Sequence, residues 1–160
     1  MTREELDALY FEGLKAEEEG EFDKAMQLFL RGAANGDDSA MNAIGLFYDC
    51  GKGVEQDKSK AIEWFKKAYR NKKQIYFCGN IALTYAEIGN RRQAIHWWQK
   101  AVSHKDGEAA LDLAKYLMKS KQVLDLLQMA ANCEAPLDIS PSGKEQTEDL
   151  LAILTRKGYD

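Results

Sequence analysis

Histidines and cysteines are the side chains in this chain best suited to act as nucleophiles, general bases or metal ligands, and they are few. The sequence holds two histidines, His96 and His104, and three cysteines, Cys50, Cys78 and Cys133. They form no HExxH or CxxC pattern, the spacings that bring zinc ligands together. Neither a P-loop nor a GxGxxG segment is present to hold a phosphate. The sequence therefore predicts no metal site, no cofactor and no catalytic residue.

One enzymatic alternative stays open, because a cysteine nucleophile needs only a base beside it. Such an arrangement would have to bring Cys50 or Cys78 close to a histidine. His96 stands between Ile95 and Trp97, a setting that favours packing over catalysis. We therefore interpret the protein as a non-enzyme.

Composition and charge limit the classes of partner. The net charge of −4 argues against nucleic acid, since phosphate binding needs a basic face. No apolar stretch approaches the length that spans a bilayer, so we expect no membrane insertion. The acidic N-terminal segment lacks the apolar core of a secretory signal, and the odd, scattered cysteines are typical of a reducing compartment. We expect a cytoplasmic protein.

Three segments that would position any functional side chain repeat one pattern. They read DKAMQLFLRGA, SKAIEWFKKAY and RQAIHWWQKAV, and each has a small residue, an aromatic residue four positions later and a second small residue three positions after that. The matching residues are Ala25, Phe29 and Gly32, then Ala61, Phe65 and Ala68, then Ala94, Trp98 and Ala101. A period of about 35 residues is typical of stacked helical hairpins.

A second recurring pattern precedes each of these segments. A small residue followed by leucine occurs in each copy, as Gly13–Leu14, Gly45–Leu46 and Ala82–Leu83. We expect the small residue where the two helices of a hairpin cross closely. The middle copy alone carries four extra residues. Among them, Gly51 and Gly53 predict positive φ angles in the turn, and Val54 is expected to pack its apolar side chain back into the hairpin. Asp57 is then expected to cap the next helix.

The middle unit closely resembles the Sel1-like repeat. The matching residues are Gly45, Tyr48, Gly51, Gly53, Val54, Asp57, Lys60, Ala61, Trp64, Lys67 and Ala68, while Ile44 replaces the leucine of the family. The first and third units lack the insertion and look more like tetratricopeptide repeats. The residues at that family's small and aromatic positions are Gly13, Ala25, Phe29, Gly32, Ala82, Tyr85, Ala94, Trp98 and Ala101. The resemblance covers roughly residues 3–133.

The resemblance implies an all-α fold, a right-handed α/α superhelix of about four antiparallel helix-turn-helix repeats plus a C-terminal capping helix. We expect one solenoid domain over residues 1–160. Its parts are repeats at 3–36, 37–73, 74–106 and 107–133, a loop at 134–143 and the capping helix at 144–157. The usual role of such repeats is protein–protein recognition.

In superhelices of this kind the first helices line the concave face. Carrying the groove positions over gives Asp7, Tyr10, Leu14, Glu17 and Glu18, then Ser39, Asn42, Leu46, Asp49 and Cys50, then Tyr76, Gly79, Leu83, Ala86 and Glu87. This set contains no lysine or arginine, which disfavours the carboxylate clamp that some tetratricopeptide proteins use. The candidate partner-binding residues are Asp7, Tyr10, Glu17, Asn42, Asp49, Tyr76 and Glu87. Cys50 is the groove cysteine whose reactivity would test the enzymatic alternative, whereas Cys78 falls at a core position.

These residues lead to two hypotheses about function. An acidic concave face with Tyr10 and Tyr76 as anchors would bind a partner protein or peptide that carries a basic patch. The alternative is a bacterial immunity or inhibitor protein that neutralises a cognate toxin or enzyme by masking it. Two further interpretations stay open: the carboxylates are simply solvated, and the chain self-associates as a homodimer.

Overall fold

The computed structural model describes residues 1–72 and 75–117, and over these residues the chain is all-helical, without a strand. The helices are α1 (Arg3–Glu18), α2 (Phe22–Ala34), α3 (Asp38–Cys50), α4 (Lys58–Lys72), α5 (Phe77–Glu87), α6 (Arg91–Val102) and α7 (Gly107–Leu117). No described helix is both long and apolar enough to cross a bilayer. The second helix of the predicted fourth repeat, Cys133, the loop at 134–143 and the capping helix at 144–157 lie outside the described residues.

The chain divides into two compact units, Met1–Gly89 and Asn90–Asp160. The first unit holds α1 to α5, in which α1 packs on α2 and α3 packs on α4. A short connection between packed helices makes them antiparallel neighbours, so each pair is a hairpin. The described part of the second unit consists of α6 and α7, with Trp98 buried against Tyr116 at a centroid distance of 5.0 Å.

Glycines allow the two hairpins of the first unit to close. A Cβ atom at Gly13 would lie 2.5 Å from Cε1 of Phe29, and one at Gly45 would lie 2.5 Å from both Cδ1 and Cε1 of Phe65. Both aromatic rings are fully buried. In both hairpins the small residue therefore lies where the two helices cross closely, as predicted, and the aromatic ring of the second helix occupies the space above it.

The four-residue insertion forms a tight turn that joins two helices of the first unit. Gly51 ends α3 with φ 72°, and its N–H donates to the carbonyl of Phe47. Gly53 has φ 65°, and a Cβ atom there would meet Cβ of Phe22 at 2.5 Å. Val54 packs against the core, as predicted. The insertion is therefore pressed against the start of α2.

Side-chain caps fix where three helices of the first unit begin. Thr2 and Glu5 form a capping box at α1, in which each side chain accepts a hydrogen bond from the other's backbone N–H. The buried carboxylate of Asp37 accepts from the N–H of Ser39 at 3.0 Å and caps α3. At α4, Asp57 accepts from the N–H of Lys60 at 2.9 Å, as predicted. Unpaired N–H groups at helix starts are costly, so these caps hold α1, α3 and α4 in register.

Candidate protein-binding face

The predicted groove positions all lie on α1, on α3, or at and within α5, and therefore in the first unit. We call them the first-helix face: Asp7, Tyr10, Leu14, Glu17, Glu18, Ser39, Asn42, Leu46, Asp49, Cys50, Tyr76, Gly79, Leu83, Ala86 and Glu87. Tyr76 immediately precedes α5. Within this set, several polar residues bond to the protein itself, and two of the leucines, Leu46 and Leu83, remain exposed.

Polar side chains of α3 bond directly to α5. Asn42 accepts a hydrogen bond at Oδ1 from Nδ2 of Asn80, at 2.8 Å. Asp49 accepts one from the hydroxyl of Thr84, at 2.9 Å. Two of the predicted binding residues therefore join neighbouring repeats. Their partners Asn80 and Thr84 escaped the sequence reasoning because they lie beside the family's groove positions.

Cations of the same chain already contact the predicted acidic residues. Arg3 pairs with Asp7 at 3.0 Å, and Nζ of Lys52 hydrogen-bonds Oε1 of Glu17 at 2.5 Å. Lys58 pairs with both Asp49, at 3.2 Å, and Glu87. The hydrogen bond to Glu17 raises the pKa of Lys52, so this ammonium stays charged beside its carboxylate. Much of the predicted negative charge is therefore balanced within the protein.

The two predicted tyrosine anchors differ in exposure. The ring of Tyr10 is half-buried and lies 5.8 Å from the ring of Phe29, so part of it belongs to the core. Tyr76 is 51% exposed and packs on Phe77 at 4.0 Å. Burial raises the pKa of Tyr10, helped by nearby Asp37, and raises the pKa of Tyr76 to about 12. Tyr76 is thus the more accessible of the two aromatic side chains.

The raised pKa of Tyr76 predicts a pH dependence of stability. A folded-state pKa of about 12 lies above the ordinary tyrosine value of 10.0, so the folded protein holds this proton more tightly than the unfolded chain. The resulting stabilisation is complete below pH 10 and declines as pH rises towards 12. We expect denaturant unfolding to show a steeper loss of stability over this window in the wild type than in Tyr76→Phe. Equal slopes in the two proteins would contradict the shift.

Leucines at equivalent repeat positions form the apolar part of the face. Leu46 is 39% exposed and Leu83 is 43% exposed, although both lie on helices whose other apolar residues are mostly buried. Leu14 holds the same position in the first repeat and is half-buried. The α3–α5 hydrogen bonds lie beside Leu46 and Leu83 along the chain, so the backbone that carries these leucines is held in place.

A cleft opens at the α1 end of the face. It has a volume of about 440 Å³ and is lined by Leu14, Glu17, Glu18, Phe22 and Lys52. Glu18 is exposed and has no ion pair within residues 1–72 and 75–117. Phe22 and Lys52 are lining residues that the family's groove positions do not include. The cleft thus combines apolar walls with one free carboxylate.

The cysteines and histidines considered as nucleophiles or bases are not among the residues that line this cleft. Cys50 is exposed at the end of α3, and Cys78 is buried, as predicted. His96 is exposed and stands edge-on to Trp97, while Nδ1 of His104 lies 3.0 Å from the carbonyl of Lys100. Over the described part of the chain, no group of three or more histidines, cysteines or carboxylates could hold a metal ion.

Comparison with protein families settles which repeat this is. The Sel1 repeat model matches residues 8–37, 38–72 and 75–106. The chain belongs to the Sel1 repeat family. The first and third units match the same model as the second, although they lack its insertion. Sel1 repeats are in general protein–protein interaction modules, and their solenoids are typically non-catalytic scaffolds.

Solved Sel1 structures confirm the predicted fold class. A Sel1 repeat protein from Oxalobacter formigenes is 22% identical with a TM-score of 0.72, and the match covers 93% of this chain and 61% of that one. A protective antigen of uropathogenic Escherichia coli strains, which displays an SLR fold, is 19% identical with a TM-score of 0.73, covering 96% of this chain and 34% of that one. This chain therefore spans less than two thirds of either relative. Comparison with curated proteins finds no match.

Proposed function

We propose that this Sel1 repeat chain binds a partner protein through the first-helix face, with Leu46, Leu83 and Tyr76 as its main anchors. The observation that supports this most directly is the exposure of both leucines at equivalent positions of adjacent repeats. Single exposed leucines are ordinary on protein surfaces. Here two exposed leucines recur at equivalent positions, while neighbouring polar groups are already hydrogen-bonded within the protein. Burial of the leucines is therefore the largest favourable contribution that a partner can obtain from this face.

The polar residues of the face support this role indirectly. Asn42 and Asp49 are already hydrogen-bonded to α5. A partner that covers them therefore does not have to order their side chains. A surface that is rigid before binding loses less conformational entropy on association. The apolar area that the partner covers then contributes about 25 cal/mol per Å² before the costs of association.

Charge has a smaller part in the proposal than the sequence indicated. The carboxylates of Asp7, Glu17, Asp49 and Glu87 are paired with Arg3, Lys52 and Lys58, which leaves an excess of one negative charge in this group. Such a balance steers encounter weakly and adds little to final affinity. The proposal still includes a basic patch on the partner. That patch would lie opposite the unpaired carboxylate of Glu18.

The leucines are tested by a double substitution, Leu46→Gln with Leu83→Gln. We expect the tagged double variant to recover its partner from the native host at least about tenfold less than wild type, as for loss of two interface anchors worth about 1.4 kcal/mol together. The measurement is quantitative mass spectrometry of affinity-purified material, with circular dichroism to verify the fold. Assay of the recovered partner's own activity then distinguishes an inhibitor or immunity protein from an adaptor.

Leu30→Gln is the matched control for this experiment. Leu30 is 44% exposed, like the two leucines of the face, but it lies on α2. We expect the control to recover the partner at the wild-type level. Equal recovery by the folded double variant and the control would exclude the first-helix face. Light scattering of the purified protein, with and without the double substitution, tests whether the partner is a second copy of the chain.

A further inference from the structure

The cleft at the α1 end of the face is built by the insertion that distinguishes the middle repeat. Lys52 lies between the two insertion glycines and reaches Glu17 of α1 at 2.5 Å. The neighbouring Gly53 lies against Cβ of Phe22, so the turn is held at the start of α2. The first repeat therefore supplies the walls and carboxylates of the cleft, and the second supplies its cation.

The size and lining of the cleft restrict what can occupy it. Its volume of about 440 Å³ is within the range of about 300 to 1,000 Å³ typical of ligand pockets. Leu14 and Phe22 offer apolar walls. The single cation is engaged by Glu17, which leaves the carboxylate of Glu18 without a partner among the described residues. The cleft as a whole carries one excess negative charge.

We infer that this cleft accepts an arginine or lysine side chain of the partner protein, a step that rests on the proposed function. The aliphatic stem of such a side chain packs on Leu14 and Phe22, while its cationic head pairs with Glu18. Arginine is among the residues most often found as interface anchors, because its planar head binds carboxylates through two hydrogen bonds.

Other occupants fit the same cleft less well. An acidic side chain would face two carboxylates, and the ammonium of Lys52 is already held by one of them. An apolar side chain would contact Leu14 and Phe22 but would leave the exposed carboxylate of Glu18 without a partner. A basic side chain satisfies both the apolar walls and the free carboxylate.

The test uses the full isotope-labelled chain and small probes in place of the partner. N-acetyl-arginine amide and N-acetyl-lysine amide are titrated while amide chemical shifts are followed by NMR, with N-acetyl-norleucine amide as the uncharged probe of similar stem. We expect saturable shifts at Glu18, Phe22 and Lys52 with both cationic probes and weaker, non-saturating shifts with norleucine. Added salt should weaken the cationic response, because the pairing is exposed.

Two substitutions in the cleft should move the affinity in opposite directions. Glu18→Gln should weaken arginine binding by about threefold or more, the size expected for one exposed ion pair. Lys52→Gln should strengthen it by a similar factor, because it frees the carboxylate of Glu17. Glu12→Gln removes the same charge from an exposed site on α1 outside the cleft and should leave the affinity unchanged.

Each contrary result overturns the inference. The absence of saturable shifts, equal shifts with norleucine, or equal weakening by Glu12→Gln would mean that the cleft does not select a cation. Weaker binding in a folded Lys52→Gln variant would mean that Lys52 is not held by Glu17. These outcomes leave the leucine experiment unaffected, so failure of the cleft and failure of the first-helix face are distinguishable.

Discussion

Replacing Gly45 with alanine should lower the free energy of unfolding by up to about 2 kcal/mol, although alanine is the better helix former. Propensity alone would stabilise α3 by about 1 kcal/mol. The new methyl group would, however, lie 2.5 Å from two atoms of the Phe65 ring, which is only 1% exposed and so cannot swing out into solvent. Overpacking of a core costs about 1–3 kcal/mol, or more where the neighbours cannot move. The measurement is urea unfolding followed by circular dichroism.

Gly79→Ala is the matched control, because Gly79 also lies within a helix but has no atom within 4 Å of the added Cβ. We expect this variant to be as stable as wild type or more stable by up to about 1 kcal/mol. A Gly45→Ala variant that shares this gain would show that the ring does not occupy the space above Gly45. Combining Gly45→Ala with Phe65→Leu should cost less than the sum of the single substitutions, since the smaller side chain makes room for the methyl group.

Replacing Gly53 with alanine should cost about 2–5 kcal/mol, because two penalties act at one position. The φ angle of 65° is in the left-handed region, which costs a residue with a Cβ atom about 1–2 kcal/mol. The added atom would also meet Cβ of Phe22 at 2.5 Å, and that atom cannot rotate away because it is attached directly to the backbone. The contact therefore adds an overpacking penalty of about 1–3 kcal/mol. Thermal and urea unfolding both measure the total.

Gly36→Ala separates the two penalties at Gly53. Gly36 has φ 84° and no atom within 4 Å of the added Cβ, so it pays only the backbone cost of about 1–2 kcal/mol. The difference between the two variants is the contribution of the Phe22 contact. If both variants were equally destabilised, the insertion would not be pressed against α2, and the cleft beside it would lose its structural basis.

Much of the fold could be predicted from the sequence because its determinants recur at fixed spacing. The pairing of Gly13 with Phe29 and of Gly45 with Phe65 follows from one pattern repeated in each copy. The positive φ of the glycines in the insertion follows from the turn that a missing side chain permits. Such features depend on neighbours at known helical positions, which the repeat supplies.

The charge balance of the face could not be predicted in this way. Glu17 meets Lys52 across 35 residues of sequence, and Glu87 meets Lys58 across 29. Whether two flexible side chains so far apart pair depends on the packing of whole repeats, which no local pattern records. The candidate residues Glu17 and Glu87 therefore looked free in the sequence and are paired in the structure, whereas the pair of Arg3 and Asp7 has the i,i+4 spacing that a helix makes local. Whether they also contact a partner remains a prediction.

The hydrogen bonds from α5 to Asn42 and Asp49 also fix the register of α5 against α3 in the preceding repeat. They engage α3 at two heights about two helical turns apart, since seven residues rise about 10 Å. A shift of one residue along either helix would rotate its side chains by about 100° and break both bonds together. The pair thus defines the spacing between successive leucines of the face, so the distance over which a partner must match Leu46 and Leu83 is set by hydrogen bonds that exist before the partner binds.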